Sequence, residues 1–361
     1  MSKDLSSIRR RLLTWFDRNR RDLPWRADRD PYRIWVSEIM LQQTTVAAVA
    51  PRFERFLNSF PTLADLAAAS EQDVLREWEG LGYYRRARHL HAAARLLAAN
   101  HGCRLPDDPG IWAELPGVGR YILGAVLSQA FDRRLPIVEA NSQRLLCRLF
   151  GQTADPASGR IKRWLWETAE KLLPAKRVGD FNQALMELGA LVCTPAAPAC
   201  EQCPLSQHCN AYQTGRQATI PRRPAPPKSV EVGEVAVVIR KRDRILLVQR
   251  PENGRWSNMW EFPRAEVAEG ESIETAARRL VPELTGLRVR MGSEIKRIVH
   301  GVTRFRITLI FFEAKFVSGK FKSPFYTAGR WLRPAELGAF PVSSPQRKLA
   351  TMIADVPPAR H

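Results

Sequence analysis

The sequence predicts a multidomain chain, an all-helical domain followed by a smaller α+β domain, on three observations. Up to about residue 190 one helical pattern follows another, rich in Ala, Leu and Arg and punctuated by Pro51, Pro61, Gly80, Gly82, Pro106, Pro116 and Pro136. Residues 214–230 are proline-rich and basic, the composition of a semi-rigid linker able to run along phosphates. Beyond them the period changes: Val235, Val237 and Ile239 alternate, and short apolar runs replace long helical ones. The domains expected are therefore 1–213, a linker over 214–230, and 231–361.

With 361 residues, 45% of them hydrophobic, the chain has room for two or three domains with real cores. Lys plus Arg outnumber Asp plus Glu by 56 to 37, giving a formal net charge of +19 and a pI near 10.3. Such a balance calls for a polyanionic partner, with nucleic acid the natural candidate and a ribosome or an anionic membrane surface as rivals. No apolar stretch approaches the length of a bilayer span, and Met-Ser-Lys-Asp opens no signal core, so a cytoplasmic protein is expected. Six cysteines in such a chain argue poorly for disulfides. Cys103 and Cys147, alone in helical patterns, are expected to be small buried hydrophobes.

In chain order, Ile8, Leu12, Leu13, Trp15 and Phe16 fall at helical spacing with arginines on the other faces, a basic amphipathic helix that Leu23-Pro-Trp-Arg26 breaks. On the next long helix Glu38 has Ile34 one turn before it and Leu41 nearly one turn after, so its carboxyl shares an apolar face. Partial desolvation favours the protonated form and suits a general acid; the plain alternative is a surface glutamate turned to water. Pro116, Gly117 and Gly119, in a hairpin over 115–120, stand before an apolar run from Tyr121 to Phe131. They make either an ordinary helix–helix turn or a helix N-terminus open to a phosphate. Cys193, Cys200, Cys203 and Cys209 are spaced C-x6-C-x2-C-x5-C over 193–209, a set able to wrap a tetrahedral zinc or a four-iron cluster. Past the linker, Ile245–Val248 and Phe305–Phe316 read as strands around a helix from Ser272 to Leu284.

Residues 115–141 resemble the helix-hairpin-helix DNA glycosylase superfamily, whose hairpin grips the DNA backbone and is followed by a carboxylate facing the sugar. Within it, Leu23–Arg26, Ser37–Thr44 (Ser-Glu-Ile-Met-Leu-Gln-Gln-Thr), Glu79–Tyr84 and the cysteine cluster are similar to the MutY family. That resemblance implies an all-α helix-hairpin-helix domain with a [4Fe-4S] cluster on Cys193, Cys200, Cys203 and Cys209, and a Nudix (MutT-like) second domain. It implies a monomeric glycosylase removing adenine opposite 8-oxoguanine in double-stranded DNA. Glu38 would protonate N7 of adenine and Glu139, followed by Asn141, would face the sugar cation. Here the chain departs from the family: the usual Val-Asp-Gly-Asn reads Val138-Glu-Ala-Asn141, one methylene longer at the acid. Tyr121 stands where endonuclease III-type enzymes carry a lysine, and a phenol forms no imine, so base removal without strand scission is expected. A bifunctional glycosylase/lyase, and a weakly catalytic DNA-binding or redox-sensing scaffold, are the alternatives.

By the same resemblance Trp25, Arg26, Leu41 and Gln183 surround the adenine, although plain core packing is about as good a reading of Trp25. Gln43 would wedge into the stack, Thr44 and Leu81 approach the opposing base, and Tyr83 insert beside it. In the second domain Trp256–Pro263 is the clearest Nudix sign. Its metal-binding box, aligned on Glu271, Arg279, Glu283 and Gly286, has Ala265, Leu280 and Leu284 in place of a glycine and two glutamates. Reading the oxidised base is then the better role, through Val302, Thr303 and Arg304, of which Thr303 keeps a hydroxyl acceptor for an N7–H donor.

Overall fold

A computed structural model describes residues 4–222, 228–302 and 304–354. In chain order the helices before the linker are α1 (Leu5–Asn19), α2 (Pro31–Leu41), α3 (Val46–Ser59), α4 (Leu63–Ala68), α5 (Glu71–Glu77) and α6 (Arg85–His101). They continue with α7 (Pro109–Glu114), α8 (Arg120–Phe131), α9 (Ala140–Phe150), α10 (Gly159–Leu172), α11 (Val178–Leu191) and the short α12 (Asn210–Gln213). Among the described residues no strand occurs before Val230, as the unbroken helical periodicity requires.

The chain forms two compact units, and the division is not simply at the linker. Residues up to Ala68 and from His89 to the linker make the first; Ala69–Arg88 joins the residues beyond the linker in the second. A polar seam ties that segment in. Trp260 Nε1 donates to Gln72 Oε1 at 3.1 Å, Arg347 grips Glu79 at 2.7 and 2.9 Å, and Arg88 donates to the Ser257 carbonyl at 2.9 Å. Apolar spacing carries no trace of such pairing, which is why a break at the linker alone was the expectation.

In the first unit α1 begins where the Asp4 carboxylate accepts from the N–H groups of Ser6 and Ser7. Its buried stripe, Ile8, Leu12 and Phe16, packs with Leu145 and Leu149 of α9 and Phe181, Leu185 and Leu188 of α11. Cys147 belongs to this core, as expected, whereas Cys103 is only half-buried and lies just past α6 at φ 58°.

In the second unit the principal strands are β1 (Val230–Lys241), β2 (Arg244–Gln249), β3 (Trp260–Glu261), β4 (Arg264–Glu266), β5 (Arg288–Val302), β6 (Phe305–Ser318) and β7 (Ala328–Leu332). They form one sheet in the order β3-β2-β1-β6-β5, with β1 and β6 parallel, β4 paired to β1 and β7 to β2. Alternation along β1 assigns its two faces: Val235, Val237 and Ile239 pack under α13 (Ile273–Thr285), while Ala236 and Val238 join Leu349 and Ile353 of α14 (Ser344–Ala354). Ser272 caps α13 through the Thr275 N–H, placing that helix where the sequence predicts it.

Candidate active site and cysteine pocket

Helix α2 is buried on nearly every side: Ile34, Trp35, Val36, Ser37, Glu38, Ile39 and Met40 are all inside. Glu38, 4% exposed, therefore has its carboxyl in protein rather than in water. Each of its oxygens accepts one hydrogen bond from α8: Tyr121 Oη donates to Oε2 at 2.7 Å and Gln129 Nε2 to Oε1 at 2.7 Å. Burial pushes the Glu38 carboxyl above its ordinary 4.5, against the pull of those two donors and of Arg26, while Glu139 adds to the rise. The phenol of Tyr121 is driven well above 10 by burial and by Glu38 beside it, so it stays a neutral donor. Its oxygen also lies 3.5 Å from the Met186 sulfur.

Glu139 caps α9. Its two oxygens accept from the N–H groups of Asn141 at 2.8 Å and Ser142 at 2.7 Å, and Ser142 Oγ accepts from the Glu139 N–H at 2.8 Å, a reciprocal box. The extra methylene therefore leaves the acid anchored to the helix terminus. Burial raises its carboxyl above 4.5, opposed by the two N–H donors and by Arg144. Arg144 in turn donates to Asn141 Oδ1 at 2.9 Å and to the Gly189 carbonyl at 2.7 Å, locking Asn141 between α9 and α11.

The pocket residues fare differently. The Trp25 ring is 5% exposed and packs edge-on against Phe53 at 5.5 Å. Arg26 is held by Glu187, with Nη1 and Nη2 at 3.2 and 3.0 Å from its oxygens, and Arg21 shares the same carboxylate. Burial works against the Glu187 charge, yet the two arginines hold its carboxyl down at about 2. Gln183, half-buried on α11, stands one turn before Met186 and Glu187, and Leu41 ends α2 half-buried. Gln43 is exposed at φ 56° and Thr44 donates to the Gln42 carbonyl at 3.3 Å.

At the hairpin, Gly117 adopts φ +77°, and a Cβ there would come within 2.7 Å of the His89 Cβ. Only glycine fits both demands. Gly119 then opens α8 with no side chain to cap its N–H groups. In the second unit Gly80 and Gly82 take φ 87° and 66°, and the loop buries Leu81 at 4% while leaving Tyr83 44% exposed at φ 47°. That loop therefore presents Tyr83 rather than Leu81, because Leu81 turns inward with its N–H on the Trp78 carbonyl.

Val302 of β5 and Phe305 of β6 pair directly. Thr303 itself lies outside the described residues. Arg304 is exposed, its guanidinium 5.2 Å from the Phe305 ring. In the Nudix box Arg279 occupies Glu271 through two hydrogen bonds of 2.7 and 2.9 Å and reaches Glu283 at 3.0 Å, while Leu280 is packed in the core under the sheet. The carboxylates left in the box are neutralised by that arginine and not arrayed for magnesium.

All four cluster cysteines line one cavity with Leu145, Leu149, Val192 and Arg148. Among the described residues no three His, Cys, Asp or Glu side chains converge as they would on one ion. Arg148 is the telling neighbour. It is 1% exposed, donates to the Thr194, Pro195 and Ile220 carbonyls at 2.7, 3.1 and 2.9 Å, and places Nη1 3.3 Å from the Cys193 sulfur. A buried cation facing carbonyls and a sulfur is matched by a negatively charged thiolate cluster. Burial raises the Cys203 thiol to about 12, so loading such a pocket releases protons.

Sequence patterns missed Gln129, Ser142, Arg148, Met186 and Glu187. Each reads as an ordinary helix residue, and only Glu187, a lone acid on an otherwise apolar stretch of α11, left a trace in the sequence. Among the described residues no helix is long and apolar enough to cross a membrane.

Comparison with known proteins places this geometry. A family profile described as HhH-GPD superfamily base excision DNA repair protein matches residues 36–171, and one described as NUDIX domain matches 234–352. The chain is 34% identical to the adenine DNA glycosylase of Mus musculus, over 98% of this chain and 79% of that one. To the adenine DNA glycosylase of Homo sapiens it is 33% identical, over 96% and 74%. Among solved structures, a thermostable thymine-DNA glycosylase matches with TM-score 0.53 and 32% identity over 58% of this chain and 97% of that one. An endonuclease III–DNA complex matches with TM-score 0.50 over 59% and 98%, at 21% identity, which shows the fold alone.

Proposed function

This chain belongs to the adenine DNA glycosylase family, and on that premise we propose that it hydrolyses the N-glycosidic bond of adenine opposite 8-oxoguanine, or guanine, in double-stranded DNA, with Glu38 as general acid. The observation that carries this reading is a buried carboxyl whose hydrogen-bond donors are both neutral, so that burial still favours its protonated form.

The nucleotide must leave the stack before its base can be reached. Glu38 gives its proton to N7; the C1′–N9 bond breaks with its electron pair going to the base. Glu139 faces the resulting sugar cation as a carboxylate. Water adds to C1′ and returns a proton to Glu38. Tyr121 has no amine to form a Schiff base, so the reaction ends at base removal. Trp25, Arg26, Leu41 and Gln183 bound the adenine, with Trp25 and Arg26 acting through the rigid core and the Glu187 ion pair that hold them. The N–H groups around Gly117 and Gly119 take a phosphate, Gln43 wedges into the stack, Thr44 approaches the opposing base and Tyr83 inserts beside that base. The residues Val302, Thr303 and Arg304 read the oxidised base. A [4Fe-4S] cluster on Cys193, Cys200, Cys203 and Cys209 would supply structural rigidity to the loop over 193–209. The enzyme acts as a monomer in the cytoplasm.

Single-turnover cleavage of duplexes with adenine opposite 8-oxoguanine or guanine tests the substrate. Faster excision opposite 8-oxoguanine is expected, and equal rates refute lesion reading by Val302, Thr303 and Arg304. Efficient borohydride trapping on DNA would refute the monofunctional assignment. Iron and acid-labile sulfide are expected in the purified protein; stoichiometric zinc without iron excludes the cluster.

A further inference from the structure

We propose that Gln129 is a positioning residue for the reaction, whose amide fixes the second oxygen of Glu38 and so confines the transferable proton to the side of the carboxyl turned away from α8. The inference rests on Glu38 being the acid.

Gln129 is 7% exposed, and its Nε2 donates to Glu38 Oε1 at 2.7 Å. Tyr121, on the same helix two turns earlier, donates to Oε2 at the same distance. A carboxyl oxygen has two lone-pair sites. With α8 occupying one on each oxygen, a proton on Glu38 sits on one of the remaining two, and both protonation states keep the same side-chain placement. Burial alone would make Glu38 a weak acid that holds its proton too tightly; a hydrogen bond to the ionised form counters this, and it is about twice as strong as one to the neutral form.

The amide is held by backbone as well as by chemistry. A Cβ on Gly179 of α11 would meet the Gln129 Cα at 2.7 Å and the Ser128 carbonyl at 2.4 Å, so α11 closes directly on the Gln129 backbone. Asn182 Nδ2 donates to Ser128 Oγ at 2.9 Å beside it. Asp132, one residue beyond α8, accepts from the N–H groups of Arg177 and Gly179 at 2.9 and 3.2 Å and fastens the end of α8 to the start of α11. The other groups acting on Glu38 are Arg26, in the turn before α2, and Glu139, capping α9; neither donates a hydrogen bond to it.

The test is the pH dependence of single-turnover adenine excision by the cluster-loaded protein, for wild type, Gln129→Met and Gln129→Glu, with Glu38→Gln alongside. Gln129→Met keeps the length of the side chain and removes its donor. The alkaline limb of its profile is expected to move up by about one pH unit, because the ionised form of Glu38 loses the stronger hydrogen bond. The plateau below the limb is expected to fall by about tenfold as the carboxyl loses its fixed orientation. Gln129→Glu sets a second carboxyl against Glu38 and is expected to move the limb up as well. An unmoved limb and plateau in either folded variant, or a limb moved down, overturns the proposal. Should Gln129→Met fail to fold, Gln129→Glu, which keeps the size and polarity of the amide, decides. Full activity of Glu38→Gln would instead sink the assignment of Glu38 and leave Gln129 with nothing to position.

Discussion

Two sets of carboxylates in this molecule have opposite surroundings. In the first unit Glu38 is buried and takes hydrogen bonds from a phenol and an amide, both uncharged, and its carboxyl stays above the ordinary range. In the second, Glu271 accepts from Arg279, which holds its carboxyl at about 2, and Glu283 shares the same guanidinium. A neutral donor orients an acid without supplying a counter-charge, so burial can still favour its protonated form; a guanidinium holds it as an anion. The same contrast recurs within the first unit, where Glu187 is clamped by Arg21 and Arg26. Carboxylates of the second kind hold structure, and the remnant of the Nudix box is built from them.

The contrast breaks most sharply at Glu38. Glu38→Gln should slow single-turnover excision by about 10²–10⁴-fold with duplex binding retained. Glu139→Gln should cost about 10²–10³-fold, since it removes the charge facing the sugar cation; a variant as fast as the parent would show that the α9 cap is only structural. Glu187→Gln should act on stability instead, lowering it at pH 7 by on the order of 2–3 kcal/mol, because Arg26 is left without a counter-charge and Arg21 is partly open to water. The sign in pH follows from the depressed carboxyl. The stabilisation by Glu187 is complete above its unfolded value of 4.5 and is lost as pH falls towards about 2, so denaturant midpoints of parent and variant should converge over that window. The smallest effect is expected at Glu271→Gln: excision should stay within about twofold of the parent, the pair being on the surface, and a larger loss would show that this box takes part in the reaction.

Much of this was legible in the sequence because it depends on local spacing. The helical run to residue 190, the alternation of Val235, Val237 and Ile239, and the burial of Glu38 all follow from side chains sharing a face. The capping role of Glu139 was not, since its partners are the N–H groups of the helix it begins, and a carboxylate facing a sugar and one folded onto a helix terminus have the same letter. Gln129 and Arg148 escaped for another reason. Each is polar at a position where its helix is buried, and its significance comes from a partner 91 or 45 residues away, Glu38 in one case and Cys193 in the other. The membership of Ala69–Arg88 in the second unit is likewise accompanied by pairs between distant residues, such as Glu79 with Arg347. Periodicity reports burial and not pairing.

The most direct measurement is the titration of Glu38 itself, read as the carboxyl C=O stretch in infrared difference spectra of the parent minus Glu38→Gln across the pH range. A midpoint displaced above 4.5 is expected for an acid desolvated by protein and hydrogen-bonded by neutral groups. A midpoint at or below 4.5 would mean a carboxylate already ionised at neutral pH, with no proton to give an adenine.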